Sequence, residues 1–343
     1  MRVNRGGLRR STAVLLALAA VTTGCSENPL TAAPPTIEPA APAVSPPPAT
    51  RPAGELMPLG GRPEAAIFDE RSGSLAVLAP GPDPQSPATL TVFAVSGGTR
   101  ELTLPGPATA LAGDGKGSAY LSTRGGYFTV DLAAGAATPV SIAEEADTDF
   151  TAIARRADGR LVLGSADGTA YTLGSETTVA EKVKIFARVD AIVTEGNNAV
   201  VLDRGQTSVT SLNSDGRSQQ ALRAGEGAAT MAADPTGRVL VADTRGGQLL
   251  VFGVDPLIER QAYPVPQAPY GLAGSRNLAW VSQTAANMVV GYDLTTGIPV
   301  EKVRYPTVQQ PNSLAFDDTS GTLYVVSATG AGVQVIRNAA GAR

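Results

Sequence analysis

Three features predict an all-β chain built as a seven-bladed β-propeller of four-stranded antiparallel blades, preceded by a signal peptide and a disordered Pro-rich linker. The first is a unit of about forty residues that recurs seven times. The second is a tight turn signal inside each unit. The third is an apolar content carried by short runs of Ala, Val, Leu and Ile, too short for ordinary helices.

The unit is plainest at Pro311–Ile336, PNSLAFDDTSGTLYVVSATGAGVQVI. Three apolar runs, Leu314–Phe316, Leu323–Val326 and Val333–Ile336, are separated by Asp317–Gly321 and by a stretch of small residues. The apolar residue at the middle of the first run serves as a ruler. It falls at Ile67, Leu111, Ile153, Ile192, Met231, Leu272 and Leu314, in steps of 44, 42, 39, 39, 41 and 42 residues. A fourth, more variable run leads into the next unit, as at Arg260–Val265.

In chain order, residues 1–24 read as a lipoprotein signal peptide. Arg2, Arg5, Arg9 and Arg10 precede an apolar run at 13–21, too short to be a typical spanning helix, and Gly24-Cys25 closes it. Cys25 is the only cysteine of the 343 residues, which excludes an intramolecular disulfide and marks it as the lipidation residue. Residues 25–53 then form the lipidated Cys and a Pro/Ala-rich linker, with nine prolines between Pro29 and Pro52. Proline fixes φ and removes amide donors, so the expectation is an extended, solvated tether. The propeller is expected over 54–343. Its last unit lacks a fourth run, and Gly54–Leu59 is a surplus segment ahead of the first. That segment is expected to supply the outer strand of the seventh blade and close the ring.

The whole chain has a net charge of −4 (27 basic, 31 acidic), and removing the four signal arginines leaves 23 against 31, or −8. An acidic surface of this kind argues against a nucleic-acid partner, whose binding depends on neutralising phosphates. There is no histidine, which excludes Ser-His-Asp and Cys-His catalysis and any His-ligated zinc. The many Asp and Asn residues between runs are read as turn residues, their side chains capping nearby amides, and not as a metal array.

The unit Pro311-x-x-Leu314-Ala315-x-Asp317-x-x-x-Gly321-x-Leu323-Tyr324-Val325-Val326, with a looser copy at Ala228–Val241, resembles the bacterial extracytoplasmic propellers of the YVTN and NHL type. Taken with the segment ending at Cys25, the chain is similar to actinobacterial lipoproteins of the LppL type. That resemblance implies a diacylglyceryl and palmitate anchor on Cys25 and a location on the extracytoplasmic side of the cell membrane. It says little about activity; the stalk, the disc with many loops and the lack of a catalytic constellation favour a non-catalytic binding or scaffold module in the cell envelope, whose partners are the membrane through the anchor and an envelope protein or cell-wall ligand. No enzyme activity and no cofactor are expected.

Residues just ahead of the ruler should surround the central channel. The candidate channel-mouth residues are Glu64, Asp149, Arg188, Asp190, Tyr270 and Asn312. An alternative is a hydrolase resembling the calcium-dependent lactonase propellers, in which Glu64, Asp190 and Asn312 would hold the metal. A quinone-dependent dehydrogenase is a weaker third, since no motif for a cofactor cage is present. The acidic run Glu144–Asp149 lacks the spacing of an EF-hand loop and reads as a solvated loop. Thr123–Gly126 and Thr244–Gly247 read as hairpin turns. Tyr127, Phe128, Phe252, Tyr292 and Tyr324 should pack between blades, whereas Tyr270, after Pro269, should stand at the mouth.

Overall fold

The computed structural model describes Met1 and residues 35–341. Most of the expected signal peptide, Cys25 and the linker up to residue 34 lie outside the described residues. The chain from Glu55 to Ile336 forms seven antiparallel sheets of four strands; six are meanders of consecutive strands, and the seventh combines the last three strands with the first. The inner strands are Ala65–Asp69, Ala110–Gly113, Phe150–Arg155, Ala191–Glu195, Ala228–Asp234, Pro269–Gly274 and Pro311–Asp317, one for each of blades 1 to 7.

The second and third strands of each blade are buried on both faces, as at Leu161–Ser165 and Thr169–Leu173. Their runs are therefore continuously apolar or small instead of alternating. Alternate side chains pack against opposite neighbours. In blade 1, Ala65 and Ile67 join a core shared with blade 2, while Ala66 and Phe68 join one shared with blade 7. Seven such inter-blade cores run round the ring. Tyr127, Phe128, Phe252, Tyr292 and Tyr324 lie within them, and Phe68 stacks on Tyr324 at 5.5 Å between ring centres. The outer strands, such as Val179–Lys184 and Ser218–Arg223, carry charged and polar residues on their exposed positions, which suits strands with one unpaired edge.

The turns are held as their residue types predict. Between the first two strands, Asp69 Oδ1 accepts from Ser72 N (2.8 Å), Asp234 Oδ1 from Thr236 N (2.8 Å) and Asp317 Oδ1 from Thr319 N (2.8 Å). After third strands, Asp131, Asn213 and Asp293 cap amides in the same way. Asp69 also reaches the next blade, its Oδ2 accepting from Gly117 N (3.0 Å), and among the described residues no three His, Cys, Asp or Glu side chains gather to hold a metal.

Ring closure follows the expectation from the surplus segment. Glu55–Met57 pairs antiparallel with Val333–Ile336, in the register Glu55↔Val335 and Met57↔Val333, and so completes blade 7. Gly54 makes this approach possible: it sits at φ +74°, and a Cβ there would lie 2.1 Å from the Val335 carbonyl oxygen. Gln334 pins the junction from inside. Fully buried, it donates to the carbonyls of Ala53 (2.7 Å) and Pro306 (2.9 Å) and accepts from Val308 N (3.1 Å).

The described part of the linker departs from the expected solvated tether. It is extended, but it is docked. Ile37 N donates to Gly205 O in blade 4, and the segment then crosses blades 5 and 6 to reach Gln310 at blade 7. Ala40 and Ser45 are buried in the process. The physical reason is that donors on the propeller satisfy carbonyls which proline-rich chain would otherwise leave to water.

Candidate functional site

In a four-stranded meander, the loop entering the inner strand and the hairpin between strands two and three lie on one face. That face holds the mouth of the central channel. A cavity of about 650 Å³ opens there. All seven ruler residues, Ile67 to Leu314, line it and form an apolar girdle that also anchors the inter-blade cores.

Four of the six candidate residues come together on this cavity: Glu64, Asp190, Tyr270 and Asn312. The other two do not line it. Asp149 lies away from the channel, in a β-bridge with Arg124 on the rim of blades 2 and 3. Arg188 is exposed and pairs with Asp190 Oδ1 from outside (3.2 Å). The difference is one of spacing. Glu64 stands three residues and Asp190, Tyr270 and Asn312 two residues before their ruler, whereas Asp149 and Arg188 stand four before.

Irregular backbone aims two of these side chains. The pairing register slips between Pro269 and Leu272 and between Pro311 and Ser313, so Tyr270 and Asn312 sit at bulges at the channel mouth. Bulges re-aim side chains in this manner. The loops that carry them hold left-handed non-glycine residues, Gln267 (φ 67°), Ala268 (φ 56°) and Gln310 (φ 55°). Such conformations cost on the order of 1 kcal/mol or more each and concentrate at functional sites.

The sequence reading missed Arg204, which also lines the cavity. Its backbone N–H donates to Asp190 Oδ2 (2.8 Å), and its side chain donates to the Ala40 carbonyl of the docked segment. The available signal was the hairpin Asp203-Arg204-Gly205, which occupies the same turn as Arg124 and Arg245. Those two arginines have separate partners: Arg124 pairs with Asp147 (3.3 Å), and Arg245 donates to Glu38 O (2.7 Å).

Burial raises the carboxyl of Asp190 above the usual carboxylate range, although Arg204 and Arg188 pull the other way. Glu64 is open to solvent at the rim, yet the surrounding wall raises its carboxyl too. Tyr270 is likewise pushed up by burial. Three of the channel hydroxyls are already committed. Thr109, Thr151 and Thr230 donate to the carbonyls of Phe150, Val189 and Tyr270, tying each blade to the next. The acidic run behaves as turn and ion-pair material: Glu145 accepts from Lys182 and from Thr148 (2.7 Å).

The docked segment runs along this same face. Beyond its contacts with Gly205, Arg204 and Arg245, Ala43 N donates to Thr284 Oγ1 (3.2 Å), and Asn287 Nδ2 donates to Pro46 O (2.7 Å). Gln310 grips it at both ends of its amide, donating to Ala43 O (2.9 Å) and accepting from Ser45 N (3.0 Å). The same Gln310 amide donates to Asn312 Oδ1 (2.9 Å). Arg204 and Gln310 therefore touch both the segment and the channel mouth.

No protein-family model and no curated sequence matches the chain. Its fold is shared with many solved structures. A streptogramin B lyase superposes with a TM-score of 0.67 at 12% identity, over 84% of this chain and 97% of that one. A catalytically inactive virginiamycin B lyase from Staphylococcus aureus, made so by a histidine-to-alanine change and bound to quinupristin, superposes at 0.67 with 11% identity, over 82% and 97%. The WD40 repeats of RRP9 superpose at 0.66 with 12% identity, over 82% and 99%. At such identities the likeness defines the class, a β-propeller, and carries no activity with it.

Proposed function

We propose that this protein is a binding module of the cell envelope, anchored by lipid on Cys25, with the channel mouth as a ligand site. The observation that carries the reading is the mouth itself. Glu64, Asp190, Arg204, Tyr270 and Asn312 face one cavity that the seven apolar ruler residues also line. A concave site in which a few placed polar side chains converge beside an apolar girdle is the usual setting of a ligand pocket. The related fold of the inactivated lyase does not argue for its chemistry here, because that enzyme is disabled by losing a histidine and this chain has none.

The lipid anchor and the extracytoplasmic location rest on the basic, then apolar, then Gly24-Cys25 pattern of the first 25 residues. The resemblance to LppL-type lipoproteins points the same way. The calcium-dependent hydrolase is the alternative, since Glu64, Asp190 and Asn312 do line one cavity. The donor set fits a calcium ion poorly. Asp190 spends one oxygen on Arg204 N and the other on Arg188, and Asn312 Oδ1 is taken by Gln310.

Two measurements test the proposal. Cys25→Ser should move the protein from the membrane to the soluble fraction of cells, and retention at the membrane would refute the anchor. A photo-crosslinker in place of Tyr270 should trap a reproducible envelope partner that Asn312→Ala weakens; a calcium-induced rise in melting temperature lost in Asn312→Ala would favour the hydrolase instead.

A further inference from the structure

We infer that the mouth face carries a recognition groove for an extended, proline-containing peptide segment of a partner protein, and that residues 37–46 are its resident ligand. The inference deepens the binding-module reading and rests on it.

The groove is built from Arg204, Arg245, Thr284, Asn287, Gln309 and Gln310, contributed by blades 4 to 7. Nearly every bond they make is to peptide backbone. Arg245 donates to Glu38 O (2.7 Å), Arg204 to Ala40 O, Gln309 Nε2 to Ser45 O (3.1 Å) and Asn287 Nδ2 to Pro46 O (2.7 Å). The Gln310 amide spans Ala43 and Ser45 as a neighbouring β-strand would. Backbone reading of an extended chain by a fixed set of donors is a recurrent mode of peptide recognition. Proline favours it, because an extended polyproline-like chain exposes its carbonyls and loses little freedom on docking.

The side chains of the segment scarcely enter. Only Ala40 and Ser45 are buried, while Ile37 and Val44 face solvent. Ala40 lies against Gly227, where a Cβ on the glycine would come within 3.1 Å of the Ala40 Cβ, so this point admits a small residue only. The groove thus asks for an extended backbone, a small residue at one point and a hydroxyl near Gln310. It does not ask for this one sequence. The resident segment also leaves a donor unused: Arg204 Nε is buried and meets no acceptor among the described residues.

Occupation in cis sets a threshold. A tethered segment acts at an effective concentration of about millimolar, so an outside peptide must compete with it. Because Gln310 and Arg204 also touch the channel mouth, exchange at the groove is felt there.

The test uses the purified full chain and a fluorescent peptide of residues 35–48. The strap is disabled by Ala40→Lys, which meets Arg204 and Arg245, with Ser45→Asp; every groove residue is left in place, and melting curves check that the variant is folded. The peptide should bind the strap-disabled chain about two- to fivefold tighter than the unaltered chain. Adding either Gln310→Ala or Arg245→Ala should lower that affinity by about tenfold or more. A peptide altered at the outward-facing Ile37 and Val44 should bind within about threefold of the original. Dimers of the unaltered chain that vanish in the strap-disabled one would show the same recognition between two copies. Failure of the peptide to bind the folded strap-disabled chain, or loss of binding on changing Ile37 and Val44, would overturn the inference. These readouts do not depend on lipidation or on the envelope partner, so either proposal can fail without the other.

Discussion

Two neighbouring stretches of the chain use opposite physics. Glu55–Met57 enters a backbone ladder, and the half-buried Met57 packs into the core between blades 7 and 1. Residues 37–46 enter no ladder, and are held by side-chain groups around the mouth. Fixing a backbone residue costs about 1–2 kcal/mol. A net hydrogen bond returns about 0.5–1.5 kcal/mol, and the segment has roughly one bond for each residue it orders. The closing strand adds apolar burial to its bonds. The docked segment adds almost none, so its attachment sits near balance and can be exchanged.

The strongest way to break the comparison is to delete residues 54–60. The deletion removes the ladder, exposes the Val333–Ile336 edge and strips Met57 and Leu59 from the core. A loss of about 5 kcal/mol is expected for the whole domain. Urea unfolding followed by circular dichroism checks it, and an unchanged midpoint would mean that closure is dispensable.

Gln334→Ala sharpens the same side of the comparison. It leaves the Ala53 carbonyl and the Val308 amide without their partner, while the Pro306 carbonyl keeps only its bond from Ala53 N (3.0 Å). About 3 kcal/mol should be lost. Gln334→Glu should be worse at neutral pH, because a buried carboxylate would face two carbonyl oxygens. Equal stability of the Ala and Glu variants at neutral pH would deny the pinning role.

Removing the groove's hold on residues 37–46 through Ala40→Lys with Ser45→Asp should change global stability by no more than about 1 kcal/mol. Amide hydrogen exchange at residues 37 and 45 should nonetheless accelerate in the variant. A large drop in global stability would place the segment with the closing strand and erase the distinction drawn between them.

The repeat made most of the fold legible. The ruler worked because each inner strand contributes its middle residue to the same girdle, and the Asp and Gly turns announced the hairpins. Channel residues two before the ruler, such as Asp190 and Asn312, were legible from spacing. Asp149 and Arg188 were not excluded, because sequence does not reveal where a bulge turns the chain inward. Arg204 was hidden by an expectation that the mouth is built from entry loops alone, when the second-to-third hairpin shares that face. Docking of residues 37–46 was hidden more deeply. Its donors come from turns more than 160 residues further along, and nothing in a proline-rich composition records them.

The smallest expected effect is electrostatic, and it falls where the docked segment meets the mouth, at Arg204 and Asp190. Burial holds the Asp190 carboxyl above its ordinary 3.8 in the fold. Below that ordinary value both folded and unfolded chains are protonated there, and the group contributes nothing. As pH rises past it the unfolded chain ionises first, so the fold loses stability until the raised value is passed, and the loss persists to neutral pH. Asp190→Asn removes this term while keeping an oxygen for the Arg204 amide. Relative to the unaltered chain, the variant should therefore gain ground as pH rises from about 4 to about 7. The loss of the exposed Arg188 pair offsets the gain only in part, since such pairs are worth about 0–1 kcal/mol. Urea midpoints of both chains across that range decide the matter. Parallel curves would mean that the mouth is better solvated than its walls imply, and that Arg204 links the segment to Asp190 through geometry without charge.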